Sequence, residues 1–124
     1  MIDNKSTYAV IGASNDQEKY GYKVMKDLLD GGYRVIPINP KGEEILGQKT
    51  YVSVAEVPQK IDVAVMVVPP EVGLKVLPDI RTAGIKMVWF QPGSESEAEF
   101  DYCKGNGIQY VANACIMVKR KDTN

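Results

Sequence analysis

The chain has 124 residues, 44% of them hydrophobic and 25% charged, with a formal net charge of −1. That is the size and composition of one globular domain able to bury a core without disulfides or metals, and the charge balance gives no reason to expect nucleic-acid binding. The absence of histidine excludes imidazole bases, imidazole metal ligands and a Ser-His-Asp triad, and two cysteines are too few for a zinc knuckle.

Five short apolar runs appear in chain order. Tyr8–Ile11, Tyr33–Ile38, Ile61–Val68, Lys86–Phe90 and Ile108–Val111 are each read as a strand. Their near-continuous apolarity is that of a parallel sheet covered on both faces. Between them lie helical patterns. Gly21, Val24, Met25, Leu28 and Leu29 recur at helical spacing, and Gly31-Gly32 offers a left-handed stop. Pro70 opens a second helix, with Val72, Val76, Ile80 and Ala83 along its inner face and Gly84 at its end; Pro78 is a possible kink. Ser94 and Glu97 read as a capping box for a helix from Glu95 to Lys104. The stretch from Gly42 to Val57 is less regular and reads as short turns with a short edge strand.

Strand and helix in alternation predict an α/β fold: a single Rossmann-like domain with a five-stranded parallel sheet and helices on both faces. The expected strand order is 3-2-1-4-5, preferred over the flavodoxin-like 2-1-3-4-5. One domain spans 1–124, its core running from about 7 to 118 and both ends loose. The start lacks the apolar region of a signal peptide, and no apolar run approaches the roughly 18 residues that span a bilayer. Two reduced thiols then suggest the cytoplasm.

In such sheets ligands bind beyond the carboxyl ends of the strands. The loop after the first strand, Gly12-Ala13-Ser14-Asn15, runs on to Lys19-Tyr20-Gly21. Its small residues allow close backbone approach, and the following helix start can face a phosphate. Eight residues separate Gly12 from Gly21, which departs from G-x-G-x-x-G. After the second strand come Asn39, Pro40 and Lys41, where an NAD site would carry an acid for the ribose hydroxyls. A lysine suits instead a nucleotide with a phosphate on its ribose, as in NADP or coenzyme A. After the third strand, Val68, Pro69 and Pro70 offer a rigid apolar wall for an adenine. Gln91-Pro92-Gly93-Ser94 follows the fourth strand, which the expected order sets beside the first.

These loops, with Val35-Ile36-Pro37-Ile38-Asn39-Pro40, Trp89-Phe90-Gln91-Pro92-Gly93 and Asn113-Ala114-Cys115-Ile116, resemble the CoA-binding domain family from about Thr7 to Val118. That family shares its fold with the N-terminal domain of the succinyl-CoA synthetase α subunit. The resemblance implies coenzyme A as ligand. Gly12, Ala13 and Ser14 would approach its pyrophosphate, flanked by Lys19, Tyr20 and Gly21. Asn39, Pro40 and Lys41 would meet the ribose phosphate and adenosine, and Val68, Pro69 and Pro70 would wall the adenine or upper pantetheine arm.

The ligase's phosphohistidine and ATP-grasp partner have no counterpart in this chain, so the expectation is a non-catalytic binding, carrier or regulatory module. It has no catalytic residues, metal, nucleic acid or membrane, and an acyl-CoA ligase is a possible protein partner. The alternative is a component of an NADP-binding or acyl-CoA-dependent enzyme that needs a partner subunit. Cys115 reads as inert, the commoner state of a thiol near a core, although it could form a mixed disulfide with a bound thiol. Cys103 reads as core, Glu43, Glu44, Glu95, Glu97 and Glu99 as solvated, and Lys119-Arg120-Lys121 as a basic tail.

Overall fold

A computed structural model describes residues 3–122. Five strands, β1 (Thr7–Ile11), β2 (Arg34–Ile38), β3 (Val63–Met66), β4 (Met87–Phe90) and β5 (Gln109–Val111), form one parallel sheet. Four helices accompany them: α1 (Tyr20–Asp30), α2 (Pro70–Thr82), α3 (Glu97–Gly105) and α4 (Ile116–Asp122). Alternate residues of each strand serve opposite faces. Tyr8, Val10, Val65 and Trp89 pack with Val24, Met25 and Leu28 of α1 and Ile116 of α4. Ala9, Ile11, Met66 and Phe90 pack with Leu77 and Ile80 of α2 and Cys103 of α3.

The strand order is 2-1-3-4-5. It differs from the expected 3-2-1-4-5 in the place of one strand: β3 lies against β1 instead of outside β2. Pro37 supplies the physical reason. A proline cannot donate to a ladder and belongs on an edge strand. Its carbonyl points outward and accepts from the Tyr51 N–H at 3.1 Å, so the missing N–H also faces the sheet margin. A full strand outside β2 would need that donor. What lies there is only the isolated Ile38–Tyr51 bridge, the remnant of the short edge strand expected in this stretch. The rest of the β2–β3 connection holds one 3-10 turn, Val54–Glu56.

Three further expectations shift. The inner face of α2 is Gly73, Leu77 and Ile80; Val72 is exposed and Val76 only partly buried. Gly73 sits against the Glu99 carboxylate and Met66, where a side chain has no room. The cap of α3 is Ser96, two residues later than Ser94. Ser96 Oγ accepts from Glu99 N at 3.3 Å and donates to Glu99 Oε1 at 2.8 Å. Glu99 is thereby fully buried, where a solvated carboxylate was expected. Pro78 stands on the exposed side inside α2, and the helix runs on through it to Thr82.

The expected basic tail is helix α4. Arg120 donates to Asp27 of α1 through Nε at 2.6 Å and Nη2 at 3.1 Å, and its guanidinium lies 5.9 Å from the Tyr33 ring centre. Their side chains are only 12% and 20% exposed, so this forked pair is shielded from water. Asp27→Ala is expected to lower stability by about 1–2 kcal/mol and to expose α4 to proteases; urea unfolding with limited proteolysis checks this. At the other end, the Tyr8 hydroxyl donates to the Asp3 carbonyl and accepts the Asp3 N–H, both at 3.0 Å. The loose ends expected at the termini otherwise fall on residues 1–2 and 123–124, outside the described residues.

Candidate functional site

With β3 beside β1, the connections leaving these two strands diverge to opposite faces, which opens a crevice at their carboxyl ends. A cleft of about 830 Å³ lies there. Of the twelve residues expected to hold a ligand, eleven line it: Gly12, Ala13, Ser14, Lys19, Tyr20, Gly21, Asn39, Pro40, Lys41, Val68 and Pro69. Pro70 lies outside it and lines an adjoining cavity.

The floor is backbone packed on backbone. Gly12 has φ +100°, and a Cβ there would stand 2.8 Å from Val68 Cγ1 and 3.1 Å from the Val67 carbonyl. Gly21, in the first turn of α1, abuts the Gly12 carbonyl so closely that any Cβ would collide with it. The two glycines let β1, the end of β3 and the start of α1 meet at one point. The first turn of α1 leaves N–H groups without helical partners, and the helix dipole adds positive potential. A helix start of this kind is able to receive a phosphate.

Side chains near this helix start fall into two kinds. Asn39 is structural: its Nδ2 donates to the Ala13 carbonyl at 2.6 Å and its Oδ1 accepts from Lys41 N at 2.7 Å. Both ends of the amide tie the first loop to the second. Ser14 Oγ accepts from Asp16 N at 3.0 Å, which leaves its O–H available to donate. Lys19 and Lys41 are exposed, and neither ammonium pairs with a carboxylate among the described residues. Tyr20 is 62% exposed, unusual for a large ring, and spans the rim between the cleft and the adjoining cavity.

Asp16 and Glu18, which no sequence motif singles out, and Glu43, expected only to be solvated, also line the cleft. Three carboxylates against two ammonium groups leave no net positive field. Any attraction for an anion must therefore come from local donors, the helix end and the lysines, instead of from overall charge. Asn15 and Ile45 line the cleft too; Asn15 Nδ2 donates to the Glu44 carbonyl at 3.1 Å and draws the second loop inward. Asn15 belongs to the small polar loop and was visible there; Ile45 sits in the irregular stretch, with no periodicity to place it.

The loop after β4 is separated from β1 by β3, so it meets the adjoining cavity and not the main cleft. Gln91 is buried there, its Oε1 accepting from Ile116 N at 2.8 Å. Trp89 Nε1 donates to the Ala114 carbonyl at 2.9 Å, so the Trp-Phe-Gln strand end positions the segment that carries Cys115.

The class defined by this geometry is a doubly wound α/β domain with an open crevice at its switch point. The chain belongs to the CoA binding domain family, whose pattern matches residues 6–121. It is similar to the acetate–CoA ligase [ADP-forming] II subunit alpha of Pyrococcus furiosus, at 43% identity over all of this chain and 30% of that one. It is also similar to the acetate–CoA ligase [ADP-forming] of Methanocaldococcus jannaschii, at 46% identity over 68% of this chain and 12% of that one. The chain thus spans less than a third of these ligases. Among solved structures it resembles a conserved hypothetical protein from Pyrococcus furiosus, with a TM-score of 0.89 and 46% identity over 92% of this chain and 98% of that one. The dinucleotide-forming acetyl-coenzyme A synthetase 1 of Ca. Korarchaeum cryptofilum, in complex with phosphate and ADP, gives a TM-score of 0.79 at 35% identity, over 88% of this chain and 26% of that one.

Proposed function

We propose that this chain binds coenzyme A or an acyl-CoA through its ADP moiety and acts as a non-catalytic binding, carrier or regulatory module. The observation that carries the reading is the convergence of the turns after β1, β2 and β3 on one cleft, with the start of α1 at its floor and Lys41 on its rim. The pyrophosphate lies against Gly12–Ser14 and the first turn of α1, with Lys19 beside it. Lys41 meets the phosphate on the ribose, and Val68 with Pro69 flanks the adenine or the upper pantetheine arm. Two unpaired thiols, Cys103 and Cys115, suit a reducing cytoplasm.

Calorimetry against coenzyme A, dephospho-CoA, NADP and NAD tests this. Coenzyme A is expected to bind tightest and NAD weakest. Lys41→Ala is expected to weaken coenzyme A about tenfold, the loss of one charge-assisted contact, and to leave dephospho-CoA unchanged. Absence of coenzyme A binding at millimolar concentration would remove the reading; equal binding of dephospho-CoA by the unaltered chain would remove the role of Lys41.

The reading as a component of a larger acyl-CoA-dependent enzyme is favoured by one observation, the ligase relatives of which this chain matches only a part. A ligase-type subunit recovered with the tagged chain would support it.

A further inference from the structure

Beside the cleft lies a second cavity of about 400 Å³, and Tyr20, Val67, Val68 and Pro69 line both. Its remaining wall is largely apolar, with Pro70 and Pro92, and ends at Ser94 and Cys115. Two features there point to an occupant. Ser94 is only 6% exposed, and its hydroxyl, with no hydrogen-bond partner among the described residues, keeps what access to solvent it has at the cavity. Cys115 is half-buried, and its sulfur accepts from Gln91 Nε2 at 3.4 Å. Gln91 is itself 3% exposed and anchored at its other end to Ile116 N, so a buried amide holds the thiol at the cavity wall. An apolar hollow that shares a wall with the cleft suits the uncharged arm of a ligand seated there, and a thiol held in its lining suits an arm that ends in sulfur.

We propose that this cavity takes the sulfur end of the ligand held in the cleft, and that Cys115 is a thiol–disulfide exchange site for that ligand. The inference rests on the coenzyme A reading above. The Cys115 thiolate attacks one sulfur of the symmetric disulfide of coenzyme A. That S–S bond breaks as the bond from Cys115 Sγ to the bound sulfur forms. The second coenzyme A leaves as a thiolate and takes up the proton that Cys115 lost. One disulfide is consumed and one is made, so no outside oxidant is required, and excess thiol reverses the step. Selectivity comes from proximity: a nucleotide seated in the cleft holds its sulfur near Cys115 at an effective concentration far above that in solution. Cys103 is the internal contrast. It is wholly buried, and burial together with the neighbouring Glu99 pushes its thiol up to about 11, where it does not exchange.

The full chain and its Cys115→Ser and Cys103→Ser variants are incubated with coenzyme A disulfide or, at equal concentration, hydroxyethyl disulfide, and followed by intact-mass spectrometry. One adduct, equal to coenzyme A less two hydrogens, is expected on the unaltered chain and on Cys103→Ser. None is expected on Cys115→Ser, and dithiothreitol removes it. It forms from coenzyme A disulfide about tenfold faster or more than the hydroxyethyl adduct forms from its own disulfide. Equal rates, or an adduct that persists in Cys115→Ser, overturn the proposal. Calorimetry with coenzyme A on the same samples separates the two readings. If coenzyme A binds but forms no favoured adduct, the exchange site fails and the binding function stands; if it binds to none of the three, both fail.

Discussion

Gly21→Ala is expected to lose about 1–3 kcal/mol of stability and most of its affinity for coenzyme A. A Cβ at this position collides with the Gly12 carbonyl oxygen, and it also stands 3.0 Å from the Gly12 carbonyl carbon and 3.2 Å from Ala13 Cα. All three are backbone atoms of the turn leaving β1, so no side chain can swing aside. Either α1 or the turn must move, and overpacking of this kind costs about 1–3 kcal/mol, occasionally more. The same movement displaces the free N–H groups at the start of α1, which under the proposed function ties the stability loss to a binding loss. Gly105→Ala is the matched control: nothing lies within 4 Å of its Cβ, so its effect should stay within about 0.5 kcal/mol. Urea midpoints and calorimetry on both variants check this. A Gly21→Ala chain with an unchanged midpoint and affinity would refute the close approach.

Stability should fall as pH rises, because of Glu99. Burial drives its carboxyl up from 4.5 to about 7, opposed by the Ser96 hydrogen bond and reinforced by Glu95 and Glu71. Its Oε2 has no hydrogen-bond partner, and it faces Gly73 and Met66. In the fold the group stays protonated to about pH 7, while in the unfolded chain it ionises near 4.5. The folded state therefore holds the proton more tightly, and that advantage is complete below about pH 4.5 and gone above about pH 7. From pH 5 to pH 8 the loss is about 2–3 kcal/mol. Glu99→Gln keeps an oxygen to accept from Ser96 and carries no proton to lose. The variant should be flat over this range and more stable than the unaltered chain at pH 8. Urea unfolding at pH 5, 6.5 and 8 reads the difference; parallel curves for the two proteins would place Glu99 in water.

Much of the fold was legible because five apolar runs and their spacing carry their own period. Where the reading slipped, a local rule had two answers or no local answer existed. Ser94–Glu97 and Ser96–Glu99 both satisfy the capping-box pattern, and only the packing of α3 on Gly73 selects the second. That same glycine hides the inner face of α2, since a hydrophobic count cannot see a residue without a side chain. Pro37 was a readable sign that β2 lies on an edge, and it excludes the order with β3 outside it. Helix α4 was illegible locally: Lys119, Arg120 and Lys121 look like a solvated tail until Asp27, 93 residues away, is found beside Arg120.

The site was legible for a different reason. Small residues after β1, an Asn-Pro turn after β2 and prolines after β3 are each ordinary alone, and the topology brings all three turns to one end of the sheet. What the sequence hid was the division of labour within them. Asn39, expected to face ribose, is committed at both ends to the loops themselves. Cys115, expected to be inert, lies on a cavity wall because Gln91 and Trp89 hold its segment there.

The most direct test of the proposed coenzyme A site is a titration of the isotopically labelled protein with coenzyme A, followed by amide NMR shifts. The largest shifts are expected at Gly12, Ser14, Gly21 and Lys41, all on the cleft at the carboxyl ends of β1 and β3. Shifts confined to Lys5, Arg34 and Lys60, which line a hollow of about 620 Å³ at the opposite end of the sheet, would contradict the account.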